Sequence, residues 1–367
     1  MAPIKVGFIG LSKSGWAPGA HLPFLQQSEQ YQIVAVQNSS VASAKEAIQL
    51  YKLPEGTKAY GDPQDIANDP NIDLVVCSVR VDRHHAAIAP SLKAGKDVYV
   101  EWPLGKSLAD AEDLLKLKNE HGVKKAVVGL QARQAPIISK IKELIGNGAI
   151  GDVLSSTWSA CAIHLGSQVT SGMLYFMTKD IGGNLLTIHF GHGVDYVQNA
   201  LGSYFELDSV RSLLAIRQPF LKLVDDSGKV VNDKVPKDTH DTMGLSAFTK
   251  SGIPVTLTMR SGTPYKGTSA LDWRIYGTKG EIRITASGPF IQIGYPDQKI
   301  EVHDFAKDEV KEIEVKDEWE DLAMPARNVT RVYEGLLGKE GNVDLLCSFE
   351  DAVERHRLCE KMYEQNP

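Results

Sequence analysis

The first 37 residues constrain the fold most. Ile4-Lys-Val-Gly-Phe-Ile9 is a short apolar strand that breaks at Gly10. A loop, Leu11-Ser-Lys-Ser-Gly15, leads to a helical run from Trp16 to about Glu29, with Ala17, Ala20, Leu22, Phe24 and Leu25 apolar. Tyr31 to Gln37 then reads as a second strand, and Ala44, Ala47, Ile48, Leu50 and Tyr51 mark a helix after it. Strand, glycine turn, helix and strand in so short a span is the dinucleotide-binding unit. Its glycines let backbone approach a pyrophosphate, and a helix N-terminus offers N–H donors and a positive dipole end to the anion. The glycines here are Gly7, Gly10, Gly15 and Gly19, looser than a strict G-x-G-x-x-G. Cofactor contacts are therefore expected from Gly7, Gly10, Leu11, Gly15 and Trp16.

Where the second strand ends, NAD enzymes usually place a carboxylate on the ribose 2′-hydroxyl. This chain has Gln37-Asn38-Ser39-Ser40 instead. Without a carboxylate, a 2′-phosphate meets no repulsion, and Asn38, Ser39 and Ser40 can donate to it. The expected cofactor is NADP or NAD, leaning slightly to NADP. The alternative for the two serines is capping of the next helix. Ile72 to Ser78 is a third buried strand, followed by Arg80 and His84 and then a helix to Gly95. Val98-Tyr-Val-Glu-Trp-Pro-Leu104 is a fourth, which delivers Glu101 to the carboxyl edge of the sheet before Pro103 ends it. Open α/β sheets bind ligands at that edge. Ser107 caps a helix through Glu120, and Lys124–Gly129 leads into Gln131-Ala-Arg133.

The pattern changes near residue 130, so residues 1–130 are expected to form the dinucleotide-binding Rossmann domain and 131–367 an α+β substrate and oligomerisation domain. Strand-period segments follow at Val153–His164, Phe205–Pro219, Thr242–Thr249, Pro254–Arg260, Leu271–Tyr276, Glu281–Thr285 and Phe290–Tyr295. They predict a large open, mainly antiparallel sheet. Amphipathic helices at Met324–Leu337 and Phe349–Tyr363 are expected to cover one face of it. Leu213, Leu214, Ile216, Leu257 and Met259 predict an apolar second face, hence a homodimer through this sheet.

Two stretches carry a family resemblance. Val98–Leu104 resembles the Glu-Lys-Pro signature of the Gfo/Idh/MocA family of nicotinamide-dependent sugar and polyol dehydrogenases, with Trp102 at the lysine position. Asp180–Asp195 resembles its Gly-rich segment ending in His-x-x-Asp: Gly182, Gly183, His192 and Asp195 match, while Ile188 stands at the aspartate position. Ser78, Arg80, His84 and Arg133 fall where the family lines its cofactor site, with Arg80 in place of a proline. The pair of departures, Trp102 and Thr187-Ile-His-Phe-Gly-His192, resembles the family branch that includes the galactose-regulon repressor of yeasts, which works by protein contact.

The resemblance implies hydride transfer with the usual lysine and aspartate missing. His192 is then the expected acid/base, with Glu101 orienting and Tyr175 or Lys179 as substitute donors; His164 and His189 are further candidates. Trp102 can stack on a sugar or wall the nicotinamide but relays no proton efficiently. The bland alternatives are a structural hydrogen-bonding histidine at a helix start and a core tyrosine. Three functions stay open: an NAD(P)-dependent oxidoreductase on a hydroxyl, carbonyl or imine of a small sugar-like or secondary metabolite; a dinucleotide-binding co-regulator; and a cofactor-bound enzyme of non-redox chemistry.

A net charge of −6 over 367 residues without a basic cluster argues against nucleic acid. No stretch approaches the roughly 18 apolar residues of a membrane span. The start runs directly into a strand, and the four cysteines lack metal-type spacing. A cytosolic protein is expected. His84-His85 and His189…His192 offer no obvious third ligand, so no metal is expected.

Overall fold

The computed structural model describes residues 2–13 and 15–366; Ser14 of the first glycine loop lies outside them. The chain divides into two compact units, 1–134 with 319–356 and 135–318 with 357–367.

In the first unit, β1 (Ile4–Ile9) is followed by two one-turn helices, α1 (Ala17–Ala20) and α2 (Leu22–Leu25). The single helix expected from Trp16 to Glu29 does not form. Pro18 and Pro23 supply no amide hydrogen, and each sits in the first turn of its own helix, where that loss costs least. Next come β2 (Tyr31–Gln37), α3 (Val41–Leu50), β3 (Lys58–Tyr60), α4 (Pro63–Asn68) and β4 (Leu74–Cys77). α5 (His84–Lys93), β5 (Asp97–Glu101), α6 (Leu108–Glu120) and β6 (Ala126–Gly129) complete the series. The strands order β6-β5-β4-β1-β2-β3, all parallel, with Cys347–Ser348 added antiparallel beside β6. This is the doubly wound arrangement, and its order reverses between β1 and β4.

The helix at Met324–Leu336 corrects an expectation. Its buried Val329, Val332, Tyr333 and Leu336 belong to the core of the first unit, with Val6, Phe8, Tyr31, Tyr99 and Val127. Phe349, Ala352 and Val353 likewise pack with Val98, Val100 and Trp102 of that unit. A 3.6-residue apolar stripe shows that a helix has a buried face, not which sheet it covers.

The second unit holds an eight-stranded sheet. Its order is Glu309–Ile313, Lys299–Asp304, Gly280–Ala286, Leu271–Gly277, Val153–Cys161, Pro254–Arg260, Thr242–Phe248 and Arg211–Ala215. Only the pair Val153–Cys161 and Pro254–Arg260 is parallel. Phe290–Tyr295 is no strand: it holds a short 3₁₀ turn closed by Gly294 at φ +77°. A separate three-stranded sheet joins Gln168–Thr170, Phe220–Val224 and Val230–Pro236.

The expected apolar second face is met only in part: Leu213 is 62% exposed and Ile216 37%. Leu257 and Met259 are buried, on the same side as Trp158 and Trp273. The opposite side presents Thr157, Ser159, Thr256 and Thr258 with Arg274 and Arg283, both paired to Asp272. Alternation along each strand places the large side chains inward and leaves this polar set outside.

Candidate functional site

The expected cofactor residues lie in the first unit. Gly10 ends β1 at φ +93°, and a Cβ there would sit 2.5 Å from the Ser78 carbonyl oxygen. Glycine is required because the ends of β1 and β4 approach so closely; Ser78 N donates to Ile9 O at 2.9 Å. Gly15 also adopts a positive φ, +144°. The indole N–H of Trp16, next along this loop, is buried without a partner among the described residues. A donor left open beside two permissive glycines fits an anionic, acceptor-rich group such as a dinucleotide pyrophosphate. α1 has only four residues, so its dipole supplies little of that fit.

Asn38 closes β2 from inside, donating to Leu11 O at 2.8 Å and Ser43 O at 3.1 Å. Ser40 caps α3 by accepting from Ser43 N. Of the three expected ribose contacts, the exposed Ser39 keeps the outward position.

Four other residues are held in ways their sequence positions did not disclose. His84 is fully buried, with Nδ1 2.8 Å from Pro103 O and Nε2 2.9 Å from Val79 O. Burial pushes its pKa down, and the neutral ring has one N–H to donate, to either the Val79 or the Pro103 carbonyl. Arg80 forms a two-pronged pair with Asp82, both contacts 2.7 Å, and holds that carboxyl below its usual range. Arg133 is buried and donates to Asp351 at 2.9 Å. Trp102 is only 5% exposed, inside the core cluster, with its ring 4.9 Å from that of His356. An indole so buried does not stack on a sugar.

Glu101 stands at the carboxyl end of β5, as expected. Its Oε1 lies 2.9 Å from Nε2 of the buried His21, whose Nδ1 is 2.8 Å from the Tyr333 hydroxyl. Tyr31 donates to Tyr333 O at 2.7 Å. Glu101, His21 and Tyr333 thus form one buried line, and Gly129 leaves room for the carboxylate that any Cβ would touch at 2.6 Å. Glu101→Ala leaves His21 Nε2 buried and unpaired, and is expected to lower stability by about 2–3 kcal/mol in urea unfolding. Unchanged stability with weakened dinucleotide binding would instead make Glu101 a direct ligand.

The expected acid/base residues lie in the second unit. The six residues Leu185–Phe190 form a π-helical turn that continues into the α-helix Gly191–Leu201. Asn184 caps this turn by accepting from the amides of Leu186 and Thr187. Gly193 lets the helix seat on Trp158, where a Cβ would lie 2.8 Å from the indole. Trp158 donates to the Tyr196 hydroxyl at 2.7 Å and locks the helix at that point. His192 is buried in its first turn.

One turn back, His189 Nε2 lies 3.0 Å from His164 Nε2. The His189 ring is held between Phe290 (4.3 Å, 24°) and Phe176 (5.2 Å, 25°). Burial lowers the pKa of His164 to about 4 and that of His189 well below its ordinary value. His164 itself sits between Ile163 at φ +59° and Leu165 at φ +54°. Positive φ at two such residues is strained backbone, which persists where surrounding structure enforces it. Tyr175 packs against Phe176, 4.7 Å between ring centres. Lys179 points elsewhere, its ammonium 4.3 Å over the Tyr363 ring and its amide donating to Asp238. The sequence had made His164 and His189 minor candidates; the run of strand residues before His164 hid the positive-φ break that fixes it.

Comparison with known proteins matches these two sections to two profiles. "Oxidoreductase family, NAD-binding Rossmann fold" covers residues 4–130, and "Gal80p, C-terminal domain" covers 136–286. The galactose/lactose metabolism regulatory protein GAL80 of Saccharomyces cerevisiae is 32% identical over 303 residues, 80% of this chain and 69% of that protein. The chain belongs to the Gfo/Idh/MocA family. Within that family it is similar to the GAL80 proteins, although its match spans only 65% of the Kluyveromyces lactis one. Dehydrogenase aclE of Aspergillus oryzae is 29% identical over 97% of this chain and 94% of its own. Among solved structures, a super-repressor mutant of Gal80p from S. cerevisiae superposes with a TM-score of 0.89 at 28% identity, covering all of this chain and 96% of the other. No helix among the described residues is long and apolar enough to cross a membrane.

Proposed function

We propose that this protein is a nicotinamide-dinucleotide-dependent oxidoreductase acting on a hydroxyl, carbonyl or imine of a sugar-like or secondary metabolite. The observation that carries this is the histidine group of the second unit. Dinucleotide binding alone needs only the first unit, whereas His192, at the start of a helix that continues from a π-helical turn, is a residue type whose ordinary pKa suits acid/base work near neutral pH. The correspondence with a dehydrogenase over almost the whole length of both chains supports the same conclusion.

In this scheme the first unit is the dinucleotide-binding domain and the second the substrate domain. The Gly10–Trp16 loop holds the pyrophosphate, and Ser39 faces the adenosine ribose. No carboxylate stands there, so NADP is accepted at least as well as NAD. The dinucleotide supplies the hydride chemistry. The chain's own part is to orient the substrate and move one proton at its oxygen or nitrogen, with His192 as the contacting acid/base. Self-association through the exposed sheet face would use its threonines and Arg–Asp pairs together with the exposed Leu213 and Phe248.

A second proposal is a dinucleotide-binding co-regulator that works by protein contact, favoured by the more than 30% identity to GAL80. Calorimetry with NAD(H) and NADP(H), then absorbance of the reduced nicotinamide during a carbonyl and polyol screen, separates the two. Binding with turnover that falls at least about 10²-fold in His192→Ala establishes the enzyme. Tight binding with no turnover on any compound establishes the regulator.

A further inference from the structure

With α1 only four residues long, the phosphates' partners must come from the loop between Gly10 and Trp16, and something must fix that loop. We propose that Tyr51 is a positioning residue for the dinucleotide: together with Asn38 it turns the loop's amides towards the phosphates. This rests on the dinucleotide-binding part of the reading above, which the enzyme and the co-regulator share. It adds how the loop is set before the cofactor arrives.

The two residues act on consecutive carbonyls. Asn38 Nδ2 donates to Leu11 O at 2.8 Å, and the Tyr51 hydroxyl donates to Ser12 O, also at 2.8 Å. Both peptide bonds concerned, Leu11–Ser12 and Ser12–Lys13, are trans. A planar trans peptide points its N–H opposite to its C=O. With the carbonyls drawn to Asn38 and Tyr51, the amides of Ser12 and Lys13 are turned the other way. The Lys13 amide donates to no partner among the described residues. Successive backbone N–H groups of this kind are the donors of anion-binding nests.

Tyr51 is itself held at three points. Its carbonyl accepts from Gln26 Nε2 at 2.8 Å. Its ring packs against the core cluster that also seats Trp16. Directly after it, Lys52 takes φ +49° and Leu53 N donates to Ile48 O at 3.0 Å, which closes α3 in a Schellman turn. Glycine ordinarily fills that left-handed position. A lysine there is strained backbone, which persists where the surrounding structure enforces it. Asn38 is tied to the same helix by its second donation, to Ser43 O at 3.1 Å. Both clamps on the loop are therefore anchored to α3.

A loop with Gly10 and Gly15 at positive φ has much conformational freedom to lose when it binds a ligand. Fixing two of its carbonyls beforehand removes part of that cost, and the difference appears as affinity. A packing role for Tyr51 would need only its ring. The hydroxyl, which reaches a loop carbonyl 39 positions earlier in the chain, would then be dispensable.

The test uses the full-length protein and Tyr51→Phe, which keeps the ring and removes only the hydroxyl. Calorimetry with NAD(H) and NADP(H) should show Kd raised about 3–10-fold for each form that wild type binds, the worth of one net hydrogen bond. Adenosine, which lacks the phosphates, is titrated by NMR and should bind both proteins equally. The dinucleotide should move the Ser12 and Lys13 amide resonances downfield in wild type, and by less in Tyr51→Phe. Tyr265→Phe, at an exposed tyrosine of the second unit, is the control and should keep the wild-type Kd. An unchanged Kd in Tyr51→Phe overturns the proposal and leaves dinucleotide binding standing. Ser12 and Lys13 resonances that stay in place when wild type binds also overturn it. Equal losses for adenosine and dinucleotide overturn it too, and assign Tyr51 a packing role. Failure of wild type to bind any dinucleotide overturns the dinucleotide reading itself.

Discussion

Replacing Trp102 by lysine, the residue of the Glu-Lys-Pro signature this stretch resembles, should unfold the first unit rather than give it a working catalytic base. Trp102 is 5% exposed among Val98, Val100, Leu104 and Phe349, beside His356. Removing a buried aromatic ring costs about 3–5 kcal/mol through lost burial and the cavity left behind. A lysine in its place must also bury its ammonium unpaired or give up its proton. Neutralising it at pH 7 costs about 4–5 kcal/mol, from the distance between its ordinary pKa and neutrality. Either sum is comparable with the whole stability of a typical domain, about 5–15 kcal/mol. Trp102→Lys should therefore be recovered mostly unfolded or insoluble, while Trp102→Phe should be soluble and lose no more than about 2 kcal/mol. A Trp102→Lys protein with an unfolding midpoint like wild type and a gain in turnover would show that position 102 faces the site after all.

The second large effect is a loss of stability in acid centred on His356. Burial lowers its pKa to about 3, and the nearby His84 adds to the shift. In the unfolded chain the same ring titrates near the ordinary value of about 6.5. The unfolded state therefore binds the proton first as pH falls. Stability contributed by the neutral ring is fully present above about pH 6.5 and drains away between there and about pH 3. The whole effect is at most on the order of 5 kcal/mol, taking about 1.4 kcal/mol for each tenfold change in proton affinity. Carboxylates such as Asp69 and Asp82, held below their usual range, lose stability in the lower part of the same window. The comparison that isolates the histidine is wild type against His356→Leu. Urea unfolding at pH 7.0, 5.5 and 4.0 should show the variant gaining on wild type with each step down. Parallel curves would mean that His356 is protonated equally easily folded and unfolded.

What could be read without coordinates follows the range of each physical signal. The alternation of parallel strands and helices up to Gly129 is a local matter of apolar runs and turns, and every major strand of that series is where it was expected. Glu101 was legible because a strand ending at a proline must present its last polar residue at the sheet edge. The helix after β1 was misjudged because Ala17, Ala20, Leu22 and Phe24 keep a helical rhythm across two prolines that each open a new turn. Trp102, His84 and Arg133 were placed in the cofactor site by resemblance alone. Their actual partners, His356, Pro103 and Asp351, include residues more than 200 positions away, and no local pattern reports such a contact. The face of the large sheet was misread in part, at Leu257 and Met259, for a related reason. Leu257 and Met259 are apolar because they lie inward, and composition does not say which side of a strand is covered. The His164–His189 contact was half visible: both histidines could be counted, but no local pattern reports that their Nε2 atoms meet.

The return of residues 319–356 to the first unit also dictates when that unit can be finished. During synthesis, β1 to β6 leave the ribosome first, yet Tyr333, which closes the line from Glu101 through His21, is made some two hundred residues after β6. Phe349 and Ala352, which seal the opposite core, come later still. The residues made in the interval, 135–318, belong to the other unit, which can begin to assemble while its predecessor waits with Phe8, Tyr31 and Tyr99 uncovered. Domains usually fold in order of emergence; here the part begun first is completed almost last. A ribosome stalled after Glu318 would display a nascent chain whose dinucleotide fold is missing a wall, the form most in need of a chaperone.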